Sequence, residues 1–185
     1  KNIKNGMPVG VWLPRGIELH ATILGITKAG ASYVPMDYEI PNERVKTILE
    51  EVGSTACFTD KAIECNCIMY PPILQHTAFI KHNLPTTLNP DDWAYVLYTS
   101  GSTGKPKGIP ITQKQICHLI RAEQSLFRIQ PNDKVYQGFS VSFDMWCEET
   151  WIAYLVGASL WIADSLTAKS IDELSDVLEQ ENITI

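Results

Sequence analysis

The chain has 185 residues, a size that suits one domain with a substantial core or a part of a larger one. Hydrophobic residues at 45% and charged residues at 19% exclude a disordered or fibrous chain, and a formal charge of −6 with 15 scattered Lys and Arg argues against nucleic acid as a partner. The longest apolar tract, Trp151 to Ala163, is broken by Gly157 and falls short of the roughly 20 residues that a membrane span requires, so no membrane partner is expected.

Pro8 to Leu13 reads as a strand closed by the turn cluster Pro14-Arg15-Gly16. A helix follows, with Ile17, Ala21 and Leu24 at helical spacing and Gly30 as its stop, and Ala31 to Pro35 reads as a second strand. Pro41-Asn42-Glu43-Arg44 opens a helix whose Val45, Ile48, Leu49 and Val52 form one apolar stripe, with Gly53 just past its end. Thr55 to Thr59 completes a β-α-β-α-β run, which predicts parallel strands joined by right-handed crossovers. Residues 71–92, rich in proline, asparagine and threonine, read as an irregular connection.

Regular alternation then resumes. Trp93 to Tyr98 and Ile109 to Thr112 read as strands, Gln113 to Arg128 as a helix, and Lys134 to Ser140 as a strand. Met145 to Val156 is expected as a helix, Ala158 to Ala163 as a strand, Ser170 to Glu181 as a helix, and Ile183 as the start of a further strand. The pattern predicts an α/β fold, a layered sandwich of mostly parallel strands flanked by helices, with 1–70 as its first part and 93–185 as its second.

The five cysteines form an odd count without framework spacing, and Cys65-Asn66-Cys67 lacks a second ligand pair for zinc. They read as reduced thiols of an intracellular, cytoplasmic protein. The four histidines show no metal-ligand spacing, so no metal site is expected from protein side chains. The first residues carry neither an initiator methionine nor an apolar signal region, and the last resemble the start of a buried strand, so the chain reads as a piece of a longer one.

After the strand at 93–98 comes Tyr98-Thr99-Ser100-Gly101-Ser102-Thr103-Gly104-Lys105-Pro106-Lys107-Gly108. Glycines let backbone N–H groups turn toward one point, hydroxyls add uncharged donors, and lysines add cations, a combination that suits polyphosphate. It is not a Walker loop, because Thr99 stands where the first glycine belongs and Pro106 follows Lys105. On composition alone a solvated Ser/Gly linker is the competing reading.

The whole string strongly resembles the phosphate-binding signature of the adenylate-forming superfamily, which includes amino-acid adenylation domains of nonribosomal peptide synthetases, acyl-CoA synthetases and luciferases. Lys28-Ala29-Gly30-Ala31-Ser32-Tyr33-Val34-Pro35-Met36-Asp37, with Pro41 and Arg44, resembles the KAGxxYVPxDxxxPxxR stretch of amino-acid adenylation domains in particular. Phe143-Asp144, Glu149 and Gly157-Ala158 are similar to their FDxSxxE segment and the GA turn after it.

The resemblance implies the large N-terminal subdomain of an enzyme in which a carboxylate attacks the α-phosphate of ATP, giving an acyl adenylate and pyrophosphate before a thiol takes the acyl group. Thr99, Ser100, Gly101, Ser102, Thr103 and Gly104 would wrap the β- and γ-phosphates, with Lys105, Lys107 and Gly108 beside them. Magnesium (Mg2+) would bridge phosphate oxygens rather than occupy a protein cage. The thiol would belong to the phosphopantetheine of a peptidyl carrier protein. The adenine-binding stretch, the ribose-binding aspartate and the catalytic lysine would lie beyond Ile185, leaving no catalytic residue within these residues.

By the same resemblance, Asp144 matches the aspartate that grips the α-amino group of an amino-acid substrate. A simpler role for Asp144 or Ser142 is as N-cap of the helix near Met145. Glu148, four residues on, shares a helical face with Asp144 and falls where the family lines its side-chain pocket, so an acid there suggests a basic amino acid such as lysine or ornithine. Alternatively Glu148 is solvated and Glu149 points inward. Trp146 departs from the usual serine, and Met145 and Cys147 are unusual pocket neighbours. An acyl-CoA synthetase, or an inactive adenylation-like binding domain, are the competing functions. Asp144 separates the first from an amino-acid enzyme, because a fatty or aryl acid offers no ammonium.

Overall fold

A computed structural model describes residues 3–71, 87–100 and 106–185. The chain divides into two compact units, Lys1–Gln115 and Ile116–Ile185.

In the first unit, β1 (Pro8–Trp12), α1 (Ile17–Lys28), β2 (Ser32–Pro35), α2 (Asn42–Glu51), β3 (Ala56–Thr59), β4 (Ile68–Tyr70), β5 (Trp93–Ser100) and β6 (Pro106–Thr112) follow in chain order. They build a six-stranded sheet in the order β4-β3-β1-β2-β5-β6. All neighbours are parallel except β5 and β6. Every residue of β2 and β3 is buried, as expected of parallel strands covered on both faces. The two helix stops are where they were expected: Gly30 and Gly53 take the left-handed φ of +75° and +67°.

The core on the α2 side joins Trp12, Val34, Met36, Cys57 and Val96 of the sheet to Val45, Ile48 and Leu49 of α2. Gly10 of β1 makes that approach possible, because a Cβ there would stand 2.5 Å from Leu49 Cδ2 and 2.9 Å from Cys57 Sγ. Gly10→Ala is therefore expected to cost about 1–3 kcal/mol through overpacking, read as a lower urea midpoint with an unchanged slope. An unmoved midpoint would show that α2 gives way freely.

The Val-Pro-Met-Asp stretch that ends β2 and leaves it has a local explanation at the C-terminal ends of the strands. The Asp37 carbonyl accepts from Trp12 Nε1 at 3.2 Å, and its carboxylate accepts from the Glu39 amide at 2.9 Å, an Asx turn. Lys61, just after β3, donates to the Tyr38 carbonyl at 2.6 Å with its ammonium 3.5 Å from the Tyr38 ring centre and 4.4 Å from that of Trp12. These contacts bind the ends of β1, β2 and β3 together.

All five cysteines are free. Burial pushes the Cys57 thiol up, and burial with its hydrogen bond to Cys65 pushes Cys67 up to about 12, so both remain protonated packing groups. Burial and the charge of Arg15 lower His20 to about 4, which keeps it neutral.

Helix α3 (Gln113–Phe127) leads into the second unit, followed by β7 (Lys134–Gln137), α4 (Asp144–Val156), β8 (Ser159–Ile162), a single 3-10 turn (Thr167–Lys169) and α5 (Ile171–Gln180). Strands β7 and β8 pair in parallel, with α4 as the crossover between them. Gly157 ends α4 in the left-handed region at φ +76°. On the other edge of β7 the chain end runs strand-like, with Thr184 N donating to the Lys134 carbonyl at 2.9 Å and Tyr136 N to the Ile185 carbonyl at 2.9 Å.

Three local expectations are corrected. Strand β4 was not anticipated, since an edge strand of three residues with Ile68 47% exposed carries no burial pattern. Strand β7 stops at Gln137 rather than Ser140, because the next two N–H groups bond a side chain instead of a neighbouring strand. Neither Ser142 nor Asp144 caps α4: the N-cap is Phe143, without a side-chain bond, and Asp144 is already the first helical residue. A tight turn, in which Phe143 N donates to the Ser140 carbonyl at 3.0 Å, delivers the chain to the helix.

Candidate functional site

Six residues of the phosphate-loop string are placed by the β5–β6 hairpin. Antiparallel pairing sets Thr99 opposite Lys107, Tyr98 opposite Gly108, and Ser100 opposite Pro106. Directly opposed residues project on the same face, so the exposed Thr99 and Lys107 side chains share one side of the hairpin. Gly108 lets the Tyr98 ring lie close, since a Cβ there would meet Tyr98 Cζ at 3.0 Å. Gly101, Ser102, Thr103, Gly104 and Lys105 lie outside the described residues.

In the second unit α4 sorts its side chains by face. Trp146 and Cys147 are buried at 1% and 0% exposure, so these departures from the family pattern belong to the packed interior. Asp144 is exposed in the first turn, with its Oδ1 accepting from Met145 N at 3.0 Å. Glu148 lies one turn further along that face and lines a cavity of about 310 Å³ walled by Phe127, Tyr136, Ile152 and Leu178.

Glu149 has a different task. Its Oε2 accepts from Gln137 Nε2 at 2.9 Å and from the Gly138 and Phe139 amides, both at 3.1 Å. Gln137 is itself buried and also donates to the Phe139 carbonyl at 2.8 Å. One carboxylate oxygen thus fastens α4 to the loop leaving β7. Of the two acids weighed for an inward position, Glu149 is committed to the scaffold and Glu148 faces open space.

A second acid approaches Glu148. Glu123 of α3 continues the stripe begun by the buried Ile116 and Ile120, a signal visible in the sequence as an acid at an apolar position. Burial first, then the charge and hydrogen bond of Glu148, push its carboxyl up to about 7. Sequence reasoning assigned no role to Glu123 or Gln137 and did not anticipate the three-donor clamp on Glu149.

Among the described residues no group of three or more His, Cys, Asp or Glu side chains is placed to hold a metal ion, and no helix is long and apolar enough to cross a membrane.

Comparison with known proteins adds a family. The sequence matches the AMP-binding enzyme family over residues 1–185. It is 45% identical over 196 aligned positions to delta-poly-L-ornithine synthetase of Acinetobacter baumannii, and 32% identical over 187 to bacitracin synthase 2 of Bacillus licheniformis. Both alignments take in all of this chain, which spans only 14% and 7% of those relatives' lengths. The NpsA N-terminal subdomain of Klebsiella oxytoca, solved in complex with 3-hydroxybenzoyl-AMSN, superposes with a TM-score of 0.83 at 27% identity, covering 98% of this chain and 46% of that one.

Proposed function

Since the chain belongs to the AMP-binding enzyme family, within the adenylate-forming superfamily, we propose that it is part of an ATP-dependent enzyme that adenylates a basic amino acid. The aminoacyl-AMP would pass to the phosphopantetheine thiol of a peptidyl carrier protein, and pyrophosphate would leave.

The observation that carries this reading is the pair Asp144 and Glu148 on one face of α4, with Glu148 lining a mainly apolar cavity whose other lining acid, Glu149, is tied through its Oε2 to the loop after β7. Asp144 would hold the α-ammonium. Glu148 would take a second cation at the far end of the side chain, where an acid in mainly apolar surroundings gains most from a partner. Support also comes from the Acinetobacter relative, whose name specifies ornithine.

For ATP, the hairpin offers Thr99 and Lys107 side by side at the base of 101–105. In a chain of charge −6, lysines there would focus a local positive potential on a polyphosphate. Magnesium would arrive with the nucleotide, bridging phosphate oxygens.

Amino-acid-dependent pyrophosphate exchange by the full-length protein tests the reading. Ornithine or lysine is expected to surpass leucine and phenylalanine by about tenfold or more in kcat/KM, the worth of one satisfied charge. Preference for leucine or phenylalanine would refute the basic substrate. No exchange with any amino acid would favour a binding domain instead.

A further inference from the structure

The contact between Glu123 and Glu148 is one that a fold does not keep without a reason. Two carboxylates held together repel, and the pair is stable only when it shares a proton or meets a cation. Glu123 Oε2 is shielded from solvent and has no hydrogen-bond partner among the described residues. The ion pairs among those residues, Lys46–Glu43 and Lys114–Asp91, leave both acids without a cation.

The surroundings narrow the kind of cation. One turn beyond Glu123 on α3 is Phe127, and one turn beyond Glu148 on α4 is Ile152; both line the cavity that Glu148 borders. Facing helices thus present acids at one level and apolar surface at the next. Among the described residues no group of three metal-ligating side chains forms around the acids, so the arrangement suits an organic ammonium on a short methylene chain rather than a metal ion.

We propose that Glu123 acts with Glu148 as a two-carboxylate receptor for the side-chain ammonium of a diamino acid, with the apolar walls taking its methylenes. This rests on the reading of the chain as part of a basic-amino-acid adenylating enzyme. In the empty site Glu123 retains its proton below about pH 7. The incoming ammonium displaces that proton to solvent, and both acids are then ionised around one cation. Glu148 is the titratable group acting on Glu123, while Glu149, the cavity's other acid, is held by the loop after β7. Proton and substrate therefore compete, and affinity for a diamino acid rises as pH passes upward through about 7.

The test compares ornithine with norvaline, which lacks only the terminal amine, in pyrophosphate exchange by the full-length enzyme from about pH 6 to about pH 9. For the unmodified enzyme the ornithine KM is expected to fall several-fold across this range while the norvaline KM stays level. Glu123→Gln should raise the ornithine KM about tenfold with little change in kcat, flatten its pH dependence and leave norvaline unaffected. An ornithine KM and pH profile unchanged by the substitution would overturn the role of Glu123, as would an equal rise for both substrates. Should the variant not fold, the unmodified enzyme decides: equal pH dependence for the two amino acids overturns the proposal. A preference for norvaline would overturn the basic-substrate reading and this inference with it. A preference for ornithine without the Glu123 effects would remove the inference alone.

Discussion

Asp144→Ala in the full-length enzyme is expected to lower kcat/KM for the amino acid by roughly 30-fold or more, while affinity for ATP is unchanged. Truncating one partner of a hydrogen-bonded charge pair in a binding site costs about 2–5 kcal/mol, and each 1.4 kcal/mol is about tenfold. The substitution is well suited to this purpose because Asp144 is exposed and, among the described residues, its carboxylate accepts from the adjacent Met145 amide alone, so folding should tolerate it. Steady-state exchange kinetics with each substrate varied in turn provide the measurement. Amino-acid-dependent exchange that survives Asp144→Ala would remove the ammonium contact and leave an acyl-CoA synthetase as the better reading.

Glu149→Ala should damage the protein itself. Hydrogen bonds to a charged acceptor contribute about 1.5–3 kcal/mol each, and the three on Glu149 Oε2 hold one loop, so their joint loss should cost about 3 kcal/mol or more. The heaviest share falls on Gln137, whose buried amide has no water to turn to. Glu149→Gln should recover part of the loss, since its carbonyl oxygen still accepts from the loop. A urea midpoint reports the total, and faster hydrogen exchange at the Gly138 and Phe139 amides localises it. Amides that stay equally protected in Glu149→Ala would show that the clamp contributes nothing.

The first unit was legible from sequence because its rules are strong. Valines and aromatic residues of two-faced buried strands form short apolar runs, and Gly30 and Gly53 stand where a left-handed residue must end a helix. Strand β4 escaped because an edge strand with one side to solvent has no such run. The end of β7 escaped for another reason: Gly138 and Phe139 look extended in sequence, and only the fold brings a carboxylate eleven and ten residues later back to their N–H groups. The site divided in the same way. Asp144 and Glu148 are close in sequence on one helix, so their shared face could be read from spacing. Glu123 meets Glu148 only through packing of α3 against α4, which no local pattern encodes.

The β5–β6 hairpin settles beforehand how far apart Thr99 and Lys107 stand. Seven registered residue pairs, Thr99 with Lys107 among them, hold the two strands at ladder distance before any ligand is present. The entropy of bringing those two residues together is therefore lost in folding rather than at the moment of binding. A guest that meets Thr99 and Lys107 finds their spacing already set by the strands that carry them.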